Sequence, residues 1–211
     1  MRIYLVRHGE SVTNHTRVFA GQTDVELTEL GHRQAACVTE FFKDISIEAV
    51  YSSDLSRAMD TVRGVAEQHG LPLVPEKGLR ELYAGQWEGC AFEELPERYP
   101  AEFEVWRNDI GNARPVGGES TAEAAKRADA TLRRLAAQHL EGPLVAATHG
   151  GIIRGLLALW ITGSVAAMRS MEWAPNASVT VVDFEDDEFR VVEPGIVTHL
   201  GDLVTELPKT V

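Results

Sequence analysis

The chain has 211 residues, 44% hydrophobic and 25% charged, which suits one sizeable core and argues against disorder. Its net charge is −12, from 20 basic and 32 acidic residues, and such a surface repels nucleic acid and anionic membranes. No apolar run approaches the ~20 residues that span a bilayer, so neither a nucleic-acid partner nor a membrane partner is expected.

The opening run Ile3–Val6 is apolar and ends in Arg-His-Gly, which predicts a buried strand feeding a loop. Arg7 and His8 cut this run too short for a signal-peptide apolar segment. Cys37 and Cys90 show no ligand spacing and no disulfide framework. A cytoplasmic protein is the reading these features give. From Thr28 to Lys43 the apolar spacing becomes three or four residues, a helix with Thr28 as its N-cap. Ala49–Ser52 reads as a second strand, and Ser53 or Asp54 as the cap of the helix that follows. Ser120-Thr121-Ala122-Glu123 is a capping-box pattern opening a long helix whose apolar stripe runs through Ala124, Ala128, Leu132, Leu135 and Ala136. Leu144–Thr148 is a strand ending in His149-Gly150-Gly151, followed by an apolar helix to about Ile161. Ser178–Phe184 and Phe189–Val192 read as late strands.

Strands alternating with helices predict a three-layer α/β/α sandwich with a mainly parallel central sheet. Residues 1–211 read as a single domain. Residues 84–115 break the rhythm, being rich in aromatic and charged residues, and read as a small lid insertion over one edge of the sheet. Two readings of the aromatics Tyr83, Trp87, Phe92, Tyr99, Phe103 and Trp106 stay open. One is a satellite core, and the other is a lid that contacts the organic half of a ligand.

Ligands of open α/β sheets collect outside the carboxyl ends of the strands. Two predicted strands end in glycine-flanked histidines, His8 and His149, and a third leads into Arg57 in the first turn of a helix. The crevice would gather Arg7, His8, Arg57 and His149, with backbone N–H groups near Gly150 and Gly151 adding anion-binding capacity. On an acidic protein this is the local positive field a phosphate needs. Each residue has an ordinary structural alternative, since a histidine after a strand is commonly a hydrogen-bonded core residue and a lone Arg57 or Glu81 a solvated one. Only the constellation promotes them. His15, His32, His69, His139 and His199 lack comparable context and read as surface or structural. No H-x-H, H-x-x-x-H or H-E-x-x-H spacing exists, so neither a metal nor a cofactor is expected.

The ordered blocks resemble the histidine phosphatase (phosphoglycerate mutase-like) superfamily, in its broad-specificity phosphatase branch. They are Arg7-His8-Gly9-Glu10 with Asn14, Gly21 and Asp24; Ser52-Ser53-Asp54-Leu55 with Arg57; Leu79-Arg80-Glu81 with Gly85, Trp87 and Glu88; Gly117-Gly118-Glu119-Ser120; Thr148-His149-Gly150-Gly151; and Asn176-Ala177-Ser178. The resemblance implies that His8 attacks phosphorus and that Arg7, Arg57 and His149 surround the phosphoryl oxygens. It implies that Glu81 is the general acid and then base. Asn14, Gly21, Tyr83 and Gly150 join the substrate-binding set. A phosphatase acting on a small phosphorylated metabolite is the expected function, with a phosphoglycerate-type mutase as the alternative and a non-catalytic phospholigand-binding protein ranked last. Only 23 residues separate Arg57 from Glu81, whereas mutases of the family carry an extra closing segment before the third block. Ala84 offers no side chain to grip a carboxylate or amine, which weighs against phosphoserine. A homodimer is the assembly the resemblance implies.

Overall fold

The computed structural model describes residues 1–139 and 142–205. The chain begins with β1 (Arg2–Arg7), a short α1 (Val12–Thr16) and α2 (Glu29–Phe42). Next come β2 (Ala49–Ser52), α3 (Ser56–Gln68) and β3 (Leu73–Pro75). Short α4 (Leu95–Arg98) and α5 (Pro100–Asn108) precede the long α6 (Thr121–Gln138). The chain continues through β4 (Leu144–Thr148), α7 (Gly150–Thr162), β5 (Val179–Glu185) and β6 (Glu188–Ile196).

The six strands form one sheet in the order β3-β2-β4-β1-β5-β6. The β3-β2, β2-β4 and β4-β1 pairs are parallel, and β5 and β6 add antiparallel pairs. Period-two alternation puts Ile3 and Leu5 of β1, with Leu144 and Ala146 of β4, on one face against α6 and α7. Tyr4 and Val6, with Val145 and Ala147, face α2 and α3. Both faces of the central strands are covered, hence their continuous apolar runs. This is the three-layer sandwich the sequence predicts.

Local chemistry accounts for most element boundaries. The Thr28 hydroxyl accepts from the Gly31 N–H at the start of α2. At the start of α6, Ser120 and Glu123 close a reciprocal capping box. The β5–β6 hairpin turns through Asp186 and Asp187, both in the left-handed region, and this carries β6 four residues beyond the predicted Val192. The cap of α3 differs from expectation. Neither Ser53 nor Asp54 caps it. Asp24, distant in sequence, accepts from both the Ser56 N–H (2.8 Å) and the Ser56 hydroxyl (2.7 Å). Asp54 is engaged instead by a two-pronged ion pair with Arg80.

The rings of the 84–115 segment contact one another and Phe19, with Trp87 fully buried, and they merge with the core on the α6–α7 face. Such aromatic contacts stabilise beyond area burial alone, so the segment is anchored from within. The buried rings thus extend the main core and do not form a separate satellite of it. Cys90 lies inside this packing, its thiol donating to the Gln86 carbonyl.

Removing the α6 capping box tests whether the cap stabilises the fold rather than the chemistry. Ser120→Ala should lower unfolding free energy by about 1 kcal/mol. Urea unfolding should show a lower midpoint with an unchanged m-value. An unchanged midpoint would mean that α6 is held by packing alone.

Candidate active site

The crossover from β1 through α2 reaches β2 on one face, while the crossover from β4 through α7 reaches β5 on the other. The crevice between neighbouring β1 and β4 is therefore the switch point of the sheet, where ligands of this architecture bind. Arg7 pairs in register with Thr148, and the His8 N–H donates to the Thr148 carbonyl at 3.0 Å. This register sets His8 beside His149, with ring centroids 5.1 Å apart. β2, on the other side of β4, delivers Ser53 and the start of α3 to the same end.

His8 is buried, and its Nδ1 donates to the Gly9 carbonyl at 2.7 Å. That bond places the ring proton on Nδ1 and leaves the Nε2 lone pair free, the state a nucleophile needs. Burial, then Arg57, then Arg7 hold the His8 imidazole well below the ordinary 6.5, so it is neutral. Burial likewise depresses His149, reinforced by Arg57, His8, Arg127 and Arg7. The Gly9 N–H donates to the Thr61 hydroxyl, which in turn donates to the Arg57 carbonyl, tying the His8 loop to α3. The Asn176 amide donates to the His8 and Gly9 carbonyls and to Asn14 Oδ1.

Both arginines are held by carbonyls. Arg7 donates to the Ala174 carbonyl, and Arg57 donates to the carbonyls of Thr23 (3.0 Å) and Gly21 (2.8 Å). Burial lowers Arg7 to about 10, against the pull of Glu81, and lowers Arg57 too. Both stay cationic at neutral pH. Their carbonyl partners orient the guanidiniums without cancelling the charge. The Arg7 Nε has no partner among the described residues.

Glu81 closes the other side. Its carboxylate accepts from the N–H groups of Leu82 (2.9 Å) and Gly151 (3.0 Å), so it reaches the start of α7. A Cβ at Gly151 would stand 2.7 Å from the Glu81 carboxylate, and one at Gly150 would stand 3.0 Å from the Arg7 guanidinium. The two glycines after His149 let both groups approach. Gly21 has the same logic, since its φ is +54° and a Cβ would strike the Glu88 carboxylate.

The structure thus brings together Arg7, His8, Arg57, Glu81, His149 and Gly150. Gly21 enters through its carbonyl on Arg57. Asn14 sits beside them, its Oδ1 taken by Ser11 and Asn176 and its Nδ2 without a partner among the described residues. Tyr83 is 46% exposed, and its backbone pairs with Glu119. Ala84 faces inward, fully buried, and its N–H donates to Glu88. A side chain there would meet the core, so Ala84 does not weigh against phosphoserine. Of the other histidines, His69, His139 and His199 make structural contacts, and His15 and His32 are exposed.

Sequence reasoning assigned no role to several supporting residues. Glu88 accepts from the Gln22 N–H and the Thr23 hydroxyl, fixing the loop that holds Arg57. Arg127 of α6 donates to the carbonyls of Gly78, Arg80 and Glu81, fixing the Glu81 loop. Arg154 of α7 binds the Met171 carbonyl and stacks on Trp173, next to the Ala174 that orients Arg7. Glu88 stands in the third family-like block without an assigned role, whereas the only sequence signal of Arg127 and Arg154 is charge on a mostly apolar helix face, and their partners are distant carbonyls. Among the described residues, no group of three or more His, Cys, Asp or Glu is placed to hold a metal ion.

Two neutral imidazoles between two buried guanidiniums, opposite a carboxylate and at a parallel-sheet switch point, define an α/β protein of the phosphoryl-handling class. The chain belongs to the histidine phosphatase superfamily (branch 1), whose sequence profile matches residues 3–196. It is 36% identical over 207 residues to phosphoglycerate mutase-like protein 4 of Arabidopsis thaliana, covering 95% of this chain and 87% of that protein. It is 34% identical over 206 residues to the metal-independent phosphoserine phosphatase of the same plant, covering 95% of this chain and 84% of that one. The solved structure of a mycobacterial glucosyl-3-phosphoglycerate phosphatase in complex with VO3 superposes with a TM-score of 0.85 at 31% identity, covering 93% of this chain and 99% of that one.

The depressed imidazoles predict how stability depends on pH. In the unfolded chain the histidines regain the ordinary value of 6.5, so below it the unfolded state binds more protons. The stability they contribute is complete above 6.5 and is lost as pH falls through the window beneath it. His199, also depressed by burial, adds to the same slope. Urea unfolding in phosphate-free buffer, stepped from about pH 7.5 to about pH 5, should show falling stability, with a slope shallower in His8→Asn by up to about 1.4 kcal/mol per pH unit. An identical slope in that variant would mean that His8 is not buried neutral.

Proposed function

We propose that this enzyme hydrolyses the phosphate monoester of a small metabolite through a phosphohistidine on His8. The observation that carries the reading is the free Nε2 of a neutral His8, held between Arg7 and Arg57 and faced by Glu81. The phosphoryl group binds the two guanidiniums, His149, Asn14 and the N–H groups at Gly150. Nε2 displaces the alcohol as Glu81 gives it a proton. Water then attacks phosphorus as Glu81 takes the proton back. Arg7, Arg57 and His149 stabilise the charge on the equatorial oxygens, the role a metal ion plays in other phosphoryl-transfer sites. Activity should therefore survive saturating chelator.

Among the relatives reported above, one is named phosphoglycerate mutase-like, while the phosphoserine phosphatase and the glucosyl-3-phosphoglycerate phosphatase support a phosphatase. So does the chain between Arg57 and Glu81, which is used up by the rest of α3, by β3 and by the short turn Lys77–Leu79. It leaves no extra element to close the site against water, which a mutase needs. We read residues 1–211 as one catalytic domain, in which 84–115 forms a lid anchored by its aromatics and exposed Tyr83 meets the organic part of the substrate. The two unpaired cysteines support a cytoplasmic setting. The family resemblance supports a homodimer, which light scattering tests.

The experiment is rapid quenching during turnover. The phosphoenzyme should survive alkali and be destroyed by acid, and His8→Ala should abolish both it and turnover. An acid-stable phosphoenzyme would assign the nucleophile to a hydroxyl. Glu81→Gln should slow hydrolysis of alkyl phosphates by about 10²–10⁴-fold. With p-nitrophenyl phosphate, whose leaving group needs little protonation, the phosphorylation step should suffer less. Equal losses in single-turnover phosphorylation would make Glu81 structural.

A further inference from the structure

Ser53 follows β2 and is fully buried, and its Oγ lies 2.8 Å from Nε2 of the equally buried His149. The backbone around it is fixed. Its N–H donates to the Ala147 carbonyl at 2.8 Å, and its carbonyl accepts from the Ser52 hydroxyl at 2.7 Å. The Leu55 N–H donates to the Ser53 Oγ at 3.4 Å. The hydroxyl thus already accepts one bond and has a single proton to place.

Two arrangements are chemically distinct. If His149 carries its proton on Nε2, it donates to Oγ, and the Ser53 proton then lacks an acceptor in a position closed to water. If Ser53 donates to Nε2, its proton is used, and the imidazole proton sits on Nδ1. Nδ1 is the ring nitrogen that has no partner among the described residues. The first arrangement leaves both the hydroxyl proton and the Nδ1 lone pair unpartnered, the second only the Nδ1–H, so the second is favoured. It also suits the site. An Nδ1–H offers a hydrogen bond to a phosphoryl oxygen, whereas an Nδ1 lone pair would repel it.

We propose that Ser53 is a positioning residue that fixes His149 as the Nδ1–H tautomer, so that a neutral imidazole donates to the transferring phosphoryl group. This rests on reading the site as a phosphoryl-transfer centre, but the tautomer itself is observable in the resting protein. The two imidazoles then share one tautomer but leave different nitrogens free, Nε2 of His8 and Nδ1 of His149. The Gly9 carbonyl occupies Nδ1 of His8 and frees a lone pair, while Ser53 occupies Nε2 of His149 and frees a donor. Burial and the nearby guanidiniums keep His149 from taking a second proton, so the serine decides where its one proton lies.

Long-range ¹H–¹⁵N NMR on histidine-labelled resting enzyme reads each ring nitrogen directly, with His149 assigned by the resonance lost in His149→Ala. The expected result is a neutral His149 protonated at Nδ1 and bare at Nε2. Ser53→Ala should shift the proton toward Nε2 and lower kcat by roughly 10- to 100-fold with a smaller change in KM, as for loss of one transition-state donor. Ser53→Thr, which keeps the hydroxyl, should restore both the tautomer and kcat. An Nε2–H tautomer in the wild type would overturn the inference, as would a Ser53→Ala enzyme with unchanged tautomer and kcat. If Ser53→Ala fails to fold, the wild-type spectrum and Ser53→Thr still decide. An Nε2–H tautomer in an enzyme that forms phosphohistidine sinks this inference alone. An Nδ1–H tautomer in an enzyme whose His8→Ala variant turns over normally sinks the phosphohistidine reading and leaves this one standing.

Discussion

Two guanidiniums buried beside two imidazoles at the end of a parallel sheet set the terms for the rest of this molecule. Burying positive charge is costly unless something compensates it. Here Arg7 and Arg57 are compensated by carbonyls: Ala174 on one side, Gly21 and Thr23 on the other. Carbonyl dipoles orient a guanidinium and satisfy its N–H groups, but they leave its net charge available. Contrast Arg80, spent on Asp54, and Arg133, spent on Asp129. The site keeps a positive field that a phosphate can fill, offset in part by the facing Glu81 carboxylate, within a protein whose overall charge is −12.

That field also determines the state of the nucleophile. An imidazole next to two cations in a buried place cannot readily take a proton, so His8 offers a lone pair at neutral pH without a dedicated base. The outer residues serve this arrangement in layers. Glu88 holds the loop that supplies Arg57 with carbonyls, Arg127 holds the loop that carries Glu81, and Asn176 and Thr61 fix the backbone of His8 and Gly9. Gly150 and Gly151 matter because side chains there would displace Arg7 and Glu81. Preorganised charge of this kind contributes most where charge shifts in the transition state.

The strands and the long helices were legible because their periods are: Ile3 to Val6 alternates between two covered faces, and Ser120 with Glu123 announces α6. The chemistry at strand ends was legible because His8 and His149 interrupt apolar runs between glycines. What escaped is what depends on distant partners. Asp24 caps α3 across 32 residues, and no local pattern predicts that. Asp54 resembles a cap but is claimed by Arg80. The three-residue β3 is too short to show alternation, and α1 too short to show a stripe. Ala84 reads in the sequence as a substrate-facing position that lacks a gripping side chain, yet it is buried in the core, because sequence position near Glu81 does not give side-chain direction. The 84–115 segment showed its aromatic density but not that Phe19 would gather the rings.

The central claim is that the phosphoryl group passes through His8 before reaching water, and the stereochemistry at phosphorus tests it most directly. Each in-line displacement inverts phosphorus, so two displacements restore the starting configuration. Hydrolysis of a phosphorothioate monoester made chiral with sulfur and two oxygen isotopes, in water of the third isotope, should give inorganic thiophosphate with net retention. Net inversion would mean a single direct attack by water, and the account of His8 as nucleophile would be wrong.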